Sequence, residues 1–320
     1  MAEFKLVEAN GLTHRVAVKG NGPLVLFVHG FPESWYSWRH QIEAFAAAGF
    51  TAAAPDVRGY GGTDKPNDVT AYKMQQHTAD MAGIAAALSP GEPAIVVGHD
   101  WGAPIAWNSA LLFPEQFRAV AGLSVPYIPP GDIPAIDLYK RVFTDNGLFF
   151  YQVYFQDVGV AEAELEADPA RTIRLFYYNI SGDLPESAAP YAKRHGEKLL
   201  TGQIEPDMPL NWLSGKDVAY YADEFRSSGF RGPLNRYRNQ REDHAFLTSQ
   251  ADLKIYQPSL YIGGTRDPVL SFFQGDAQEL MKPNLPNLQN FHLLDGCGHW
   301  TQQERADEVN TLLIDWAKAI

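Results

Sequence analysis

A chain of 320 residues, 45% hydrophobic and 20% charged, has the composition of a soluble globular protein able to bury a sizeable core. Its formal net charge of −12, with no basic block to offset it, argues against nucleic acid or an anionic membrane as partner. One cysteine, Cys297, excludes an intrachain disulfide and fits a reducing compartment, and no stretch of about 18 apolar residues predicts a membrane span.

Residues 1–6 lack the apolar run of a signal peptide or anchor. Residues 4–7 and 13–18 read as an antiparallel pair joined through the turn residues Asn10 and Gly11. Residues 24–28, Leu-Val-Leu-Phe-Val, form a continuous apolar strand that runs into His29-Gly30-Phe31-Pro32. A helix is expected from Trp35 to Ala48, stopped by Gly49, then a strand over 51–55. The glycine-rich loop Asp56-Val57-Arg58-Gly59-Tyr60-Gly61-Gly62 follows, and then a long helix over 71–88. A buried strand at 94–97, a helix over 102–112 and a strand over 119–125 complete this βα alternation, which predicts a mostly parallel sheet. From about 129 to 247 no buried strand is visible. That stretch is helical and rich in aromatic residues, and reads as an insertion over the sheet. The alternation returns at 259–264, with a helix near 274–281, a strand at 291–294 and a final helix over 301–319. The expected fold is α/β, with a core made of residues 1–128 and 248–320 and a helical cap at 129–247.

Gly98-His99-Asp100-Trp101-Gly102 has the form of the nucleophile elbow G-x-S-x-G, with Asp100 where serine usually stands. Aspartate is also a common helix N-cap, so this match alone is weak. Loops at the carboxyl ends of strands in such sheets converge on one site, however. There the chain carries His29-Gly30-Phe31-Pro32, then Asp100, then Asp267 in Thr265-Arg266-Asp267-Pro268, then His299 in Gly298-His299-Trp300. The order nucleophile, acid, histidine is that of α/β-hydrolases. Ser124, after the next strand, cannot serve as the acid, which favours Asp267; Asp56 is a minor alternative.

With these motifs, and with Phe150-Tyr151-Gln152-Val153-Tyr154-Phe155-Gln156 and the run from Gly229 to Asn239, the chain resembles the α/β-hydrolase-fold epoxide hydrolases over nearly its whole length. The soluble type is the best match. Arg236 departs from the pattern, standing where the family often has tryptophan. The resemblance implies that Tyr151 and Tyr237 donate to the epoxide oxygen, and that the backbone N–H groups of Phe31 and Trp101 form an oxyanion hole. Such donors are worth about 3–4 kcal/mol each in other hydrolases. It also implies a substrate pocket at Phe31, Trp101, Gln152, Phe155, Val269, Leu270 and Trp300. No cofactor and no metal are expected. The implied partners are a small-molecule epoxide and water, acting on a cytoplasmic monomer or homodimer.

The chemistry agrees with the residue types. A carboxylate is a poor nucleophile at a carbonyl but displaces a leaving group at an sp³ carbon, leaving an alkyl ester. Water activated by His299, oriented by Asp267, would then hydrolyse that ester. An epoxide leaves as a basic alkoxide and requires a proton donor, whereas a halide does not. A haloalkane or haloacid dehalogenase shares the triad and is the first alternative, to be separated by halide release. Against it, Phe31 and Trp101 stand where such enzymes often carry asparagine or arginine. A non-catalytic ligand receptor on this fold is the second, dismissed by measurable diol formation. His29 and His99 are expected to brace loops, and Cys297 to be a small packed residue near His299.

Overall fold

The computed structural model describes residues 2–188, 193–250, 252–273 and 275–320. Eight strands, β1 Glu3–Ala9, β2 Leu12–Lys19, β3 Leu24–Val28, β4 Thr51–Pro55, β5 Ala94–His99, β6 Phe117–Leu123, β7 Ser259–Gly264 and β8 Leu288–Leu294, form one sheet in the order β1-β2-β4-β3-β5-β6-β7-β8. β1 pairs antiparallel with β2 and β2 antiparallel with β4; from β4 to β8 every pairing is parallel.

The central strands are apolar throughout because both faces are covered. On β3, Leu24, Leu26 and Val28 pack into one core layer, while Val25 and Phe27 pack into the other. β5 divides likewise, with Ala94 and Val96 on one side and Ile95 and Val97 on the other. The first layer is closed by α2 (Met74–Leu88) and α3 (Gly102–Leu112), through Met81, Ile84, Ile105 and Trp107. The second is closed by α1 (Arg39–Ala47) and by α13 (Ala306–Ala319), through Ile42, Phe45, Leu313 and Trp316.

Between β6 and β7 the described residues form only helices and turns, apart from an isolated bridge between Leu148 and Arg194. These helices are α4 Ala135–Val142, α5 Tyr151–Tyr154, α6 Val160–Leu165, α7 Pro169–Asn179, α8 Gly215–Ser228, α9 Arg231–Asn235 and α10 Gln240–Thr248. They form an inserted cap. Its aromatic face meets the core at Phe31, whose ring contacts Phe155, Phe176, Phe230 and Tyr237 edge-on. After β7 come α11 (Ala277–Met281) and, beyond β8, α12 (Thr301–Glu304).

Four expected helices differ from their patterns in extent or continuity. The segment from Trp35 opens with a 3-10 turn over Trp35–Trp38, capped by Ser34 Oγ, before α1 begins. α2 starts at Met74 because Lys73 is extended, and no side chain of its own segment caps it. Asp243 from the cap performs that task, accepting the Met74 N–H at 2.7 Å. The final helix divides at Arg305, where the backbone leaves helical geometry (φ −127°, ψ 46°). The helix expected near 274–281 is confined to Ala277–Met281, and Gln274 lies outside the described residues. Among the described residues, no helix is long and apolar enough to cross a membrane.

The chain leaves β3 towards β4 on one side and β5 on the other, so the carboxyl ends of β3 and β5 flank the point where strand order reverses. Ligands bind at that point in open α/β sheets. It is where His29–Pro32 and Asp100 emerge.

Candidate active site

Asp100 stands on a turn that only glycine neighbours permit. Its own φ is +49°, a left-handed conformation rare for residues with a side chain. A Cβ on Gly98 would lie 1.9 Å from the Gly102 carbonyl oxygen, and one on Gly102 would lie 2.0 Å from that of Val28. The strand and the helix can therefore approach only while both positions are glycine. The turn opens α3, whose N-terminal dipole favours a negative charge.

One carboxylate oxygen of Asp100, Oδ1, accepts the Phe31 N–H at 2.7 Å. The other, Oδ2, lies 3.4 Å from His299 Nε2. On the far side of the imidazole, Nδ1 donates to Asp267, at 3.1 Å from Oδ1 and 3.0 Å from Oδ2. The Phe31–Pro32 peptide is cis. Of the two backbone donors expected, that of Phe31 reaches Asp100 directly, while the Trp101 N–H follows Asp100 at the start of α3.

The electrostatics couple these groups. Burial alone would depress the His299 imidazole, but Asp267 and Asp100 outweigh it and hold its pKa well above the ordinary histidine value. Burial pushes the Asp100 carboxyl up, and the bond to His299, the charges of His299 and His99 and the Phe31 N–H reverse this, so its net shift is downward. Both shifts favour a carboxylate paired with an imidazolium.

A second layer of bonds holds the histidine loop. The His299 N–H donates to Ile180 O at 2.9 Å, and its carbonyl oxygen lies 2.7 Å from both His99 Nε2 and Ser124 Oγ. His99 Nδ1 meets Glu33 Oε1 at 2.8 Å; the same oxygen accepts the Gly30 N–H at 2.8 Å. Glu304 Oε2 accepts N–H bonds from Gly182 and Gly298, and Oε1 accepts that of Trp300. That folded-back carboxylate sits at the end of α12, just before the break at Arg305. Glu33 and Glu304 were not singled out from the sequence. The capping spacing that reveals helix-start acids does not reveal an acid bonded to distant backbone groups. His29 is a brace, as expected: its Nε2 accepts the Val57 N–H at 3.0 Å. Asp56 is engaged by Arg15 and by the N–H groups of Trp35 and Gly62. Cys297 is fully buried.

Above Asp100, the cap contributes Tyr151 at the start of α5 and Tyr237 in a 3-10 turn, Arg236–Asn239. Their rings are 6.0 Å apart. Burial raises both phenols above the ordinary tyrosine value, and the charge of Asp100 raises them further. Gln152 Nε2 donates to the Tyr151 hydroxyl at 2.9 Å, and Gln240 Nε2 donates in turn to Gln152 Oε1 at 2.8 Å.

Asp100, His299, Tyr151 and Tyr237 all line one cavity of about 550 Å³. Phe31 and Val269 line it too, as expected, together with Phe143, Leu148, Phe149, Phe150, Phe176, Ile180 and Phe272. The other expected pocket residues lie elsewhere. Trp300 is fully buried and stacked on Tyr177 at 4.1 Å, with its indole N–H donating to Tyr177 O. Phe155 is fully buried behind Tyr237, at 4.9 Å. Gln152 supports Tyr151, and Leu270 packs against the core. Trp101 lines a second, largely apolar cavity of about 310 Å³ beside the Pro126–Gly131 segment. Arg236 lines that second cavity too. Its guanidinium sits 4.6 Å over the Trp101 ring, donates to Tyr72 O at 2.7 Å and pairs with Asp243.

A parallel sheet with an aspartate at its elbow, and a histidine and a second aspartate on later strand ends, defines an α/β-hydrolase. The profile of the alpha/beta hydrolase fold matches residues 23–306. The chain is 41% identical to epoxide hydrolase A of Mycobacterium tuberculosis over 316 residues, 98% of this chain and 96% of that protein. An epoxide hydrolase structure from an endophytic Streptomyces superposes with a TM-score of 0.93 at 45% identity, covering 99% of this chain and 95% of that one. The bifunctional epoxide hydrolase 2 of Rattus norvegicus is 38% identical over 93% of this chain, which spans 52% of that longer protein. The chain belongs to the epoxide hydrolase family.

Proposed function

We propose that this enzyme converts epoxides to vicinal diols through an ester on Asp100, without metal or organic cofactor. The observation that carries this reading is the arrangement of His299 between Asp100 and Asp267, beneath two buried tyrosines that share one cavity with the elbow. Residues 129–247 act as the cap domain and residues 1–128 and 248–320 as the core. An acidic chain with one buried cysteine suits a cytoplasmic protein, working as a monomer or homodimer on a small-molecule epoxide and water.

Asp100 attacks an epoxide carbon, and the opening oxygen takes a proton from Tyr151 or Tyr237. Both phenols hold their protons at rest. As the ester forms, the Asp100 charge that raised them disappears, so they become better acids as the alkoxide develops. The same loss of charge lowers the proton affinity of His299, whose proton restores the tyrosine. The neutral imidazole then takes a proton from water, and the resulting hydroxide adds to the Asp100 carbonyl carbon. Phe31 and Trp101 N–H groups receive the oxyanion. On collapse, the departing alkoxide takes the carboxyl proton, which leaves the diol, the Asp100 carboxylate and the imidazolium of the resting state.

The sign of the pH dependence follows. Alkylation requires ionised Asp100, whose pKa is lowered, so it slows only at acid pH. Ester hydrolysis requires unprotonated His299 and is expected to accelerate as pH rises through the imidazole pKa of the intermediate. Rapid mixing with an aryl epoxide across pH should show diol formation with those two profiles. No diol at any pH, or release of halide from haloalkanes at a comparable rate, would overturn the reading.

A further inference from the structure

Three consecutive N–H groups of the His299 loop are satisfied from outside the loop's own backbone. That of His299 donates to Ile180 O at 2.9 Å. Those of Gly298 and Trp300, on either side, donate to the two carboxylate oxygens of Glu304, at 2.8 Å and 3.0 Å. The oxygen that takes Gly298 also accepts the Gly182 N–H at 2.9 Å. Ile180 and Gly182 belong to the cap, in the turn that follows α7. One core carboxylate therefore ties both neighbours of His299 to the cap. The backbones meet closely there. A Cβ on Gly298 would lie 2.3 Å from Gly182 N, and one on Gly182 would lie 2.2 Å from Gly296 O.

The same cap turn is held a second time. Arg266, next to Asp267, donates to Gly182 O and Leu184 O. The backbone around the base and the residue beside its orienting acid are thus registered on one cap turn, whereas Tyr151 and Tyr237 come from other cap segments. Ile180 from this turn lines the cavity; Glu304 is not among the described residues that do. A carboxylate suits the task because both of its oxygens accept and neither donates. An amide of the same shape has one acceptor oxygen. Its NH2 would have to face either the Trp300 N–H or the two glycine N–H groups, and donors would meet donors.

We propose that Glu304 is a positioning residue for ester hydrolysis. It fixes the peptides on both sides of His299 against the cap, so that the imidazole keeps the orientation in which it activates water. It lies outside the cavity and acts through His299. This rests on the two-step reading of the site, and it separates the steps: hydrolysis depends on where the imidazole is aimed, whereas ring opening depends on Asp100 and the two tyrosines.

Rapid mixing with an aryl epoxide, quenching and intact mass spectrometry give the rates of ester formation and ester loss in the wild type, Glu304→Gln, Glu304→Ala and Ile84→Val. The measured quantity is the ratio of hydrolysis to alkylation within each protein, so a smaller folded fraction cancels. Glu304→Gln is expected to slow hydrolysis about tenfold and Glu304→Ala about a hundredfold, the size of effect that a displacement of about 1 Å produces. Alkylation should change by no more than about twofold, and the esterified fraction at steady state should rise. Ile84→Val, in α2 and away from the loop, removes core packing and should leave the ratio unchanged. Glu304→Gln keeps the side-chain shape and decides the matter if Glu304→Ala does not fold. Equal slowing of both steps in Glu304→Gln, or the same change of ratio in Ile84→Val, would overturn the role and leave Glu304 a contributor to stability alone. Diol formed by the wild type in a single turnover with no ester at any time would sink the two-step reading. An ester in the wild type with an unchanged ratio in Glu304→Gln would sink the role of Glu304 alone.

Discussion

Replacing both Tyr151 and Tyr237 with phenylalanine is expected to slow alkylation by about 10⁴-fold, whereas either change alone should cost only about tenfold. The two phenols act on one oxygen, so the second still serves when the first is gone. With both absent, the alkoxide forms in an aromatic cavity with neither phenol to protonate it. The effects of the two changes are therefore strongly non-additive. Stopped-flow measurement of ester formation in the four proteins checks this. Loss confined to the alkylation step supports the assignment, because a preformed ester would still be hydrolysed through His299 and Asp267. Near-normal epoxide turnover in the double variant would remove both tyrosines from the mechanism. It would also remove the main chemical reason for preferring an epoxide to a halide.

Replacing His299 with glutamine should have an effect of similar size on the other half of the cycle. The attacking water loses its base, which is worth about 10²–10⁴-fold. Alkylation persists, so mixing with excess epoxide should yield enzyme carrying one substrate mass on Asp100, visible by intact mass spectrometry. The imidazolium also neutralises the resting carboxylate, at 3.4 Å, so a smaller loss in the first step is expected as well. Turnover at the wild-type rate with no adduct would exclude His299 as the base.

Much of this site was legible before any coordinates. The glycines at 98 and 102 announce a tight strand-to-helix turn, and the clashes that a Cβ would make at either explain why. Asp267 and His299 could be found because parallel strands deliver their loops to one edge, so chain order translates into proximity. The cap was different. Its residues obey no such rule, and Tyr151 and Tyr237 were separable from the other tyrosines only by resemblance to a family. The pocket wall was the least legible part. Trp300, next to His299 in sequence, turns away to stack on Tyr177, while Phe143, Phe176 and Lys193 reach the cavity from three separate cap segments. The helix starts missed at Met74 and Arg39 share a cause: their caps come from tertiary contact or a preceding 3-10 turn. Local sequence records neither.

The claim on which the account rests is that Asp100 forms a covalent bond to the substrate. A single turnover in ¹⁸O-water, with enzyme in excess over epoxide, tests it most directly. Hydroxide adds to the Asp100 carbonyl carbon, and the bond that breaks joins that carbon to the ester oxygen, which Asp100 itself contributed when it attacked the epoxide. The account therefore predicts that the first diol carries unlabelled oxygen drawn from Asp100, and that a peptide containing Asp100 gains the solvent label. Solvent label in the first diol, with Asp100 unlabelled, would mean that water attacks the epoxide directly and would contradict the account.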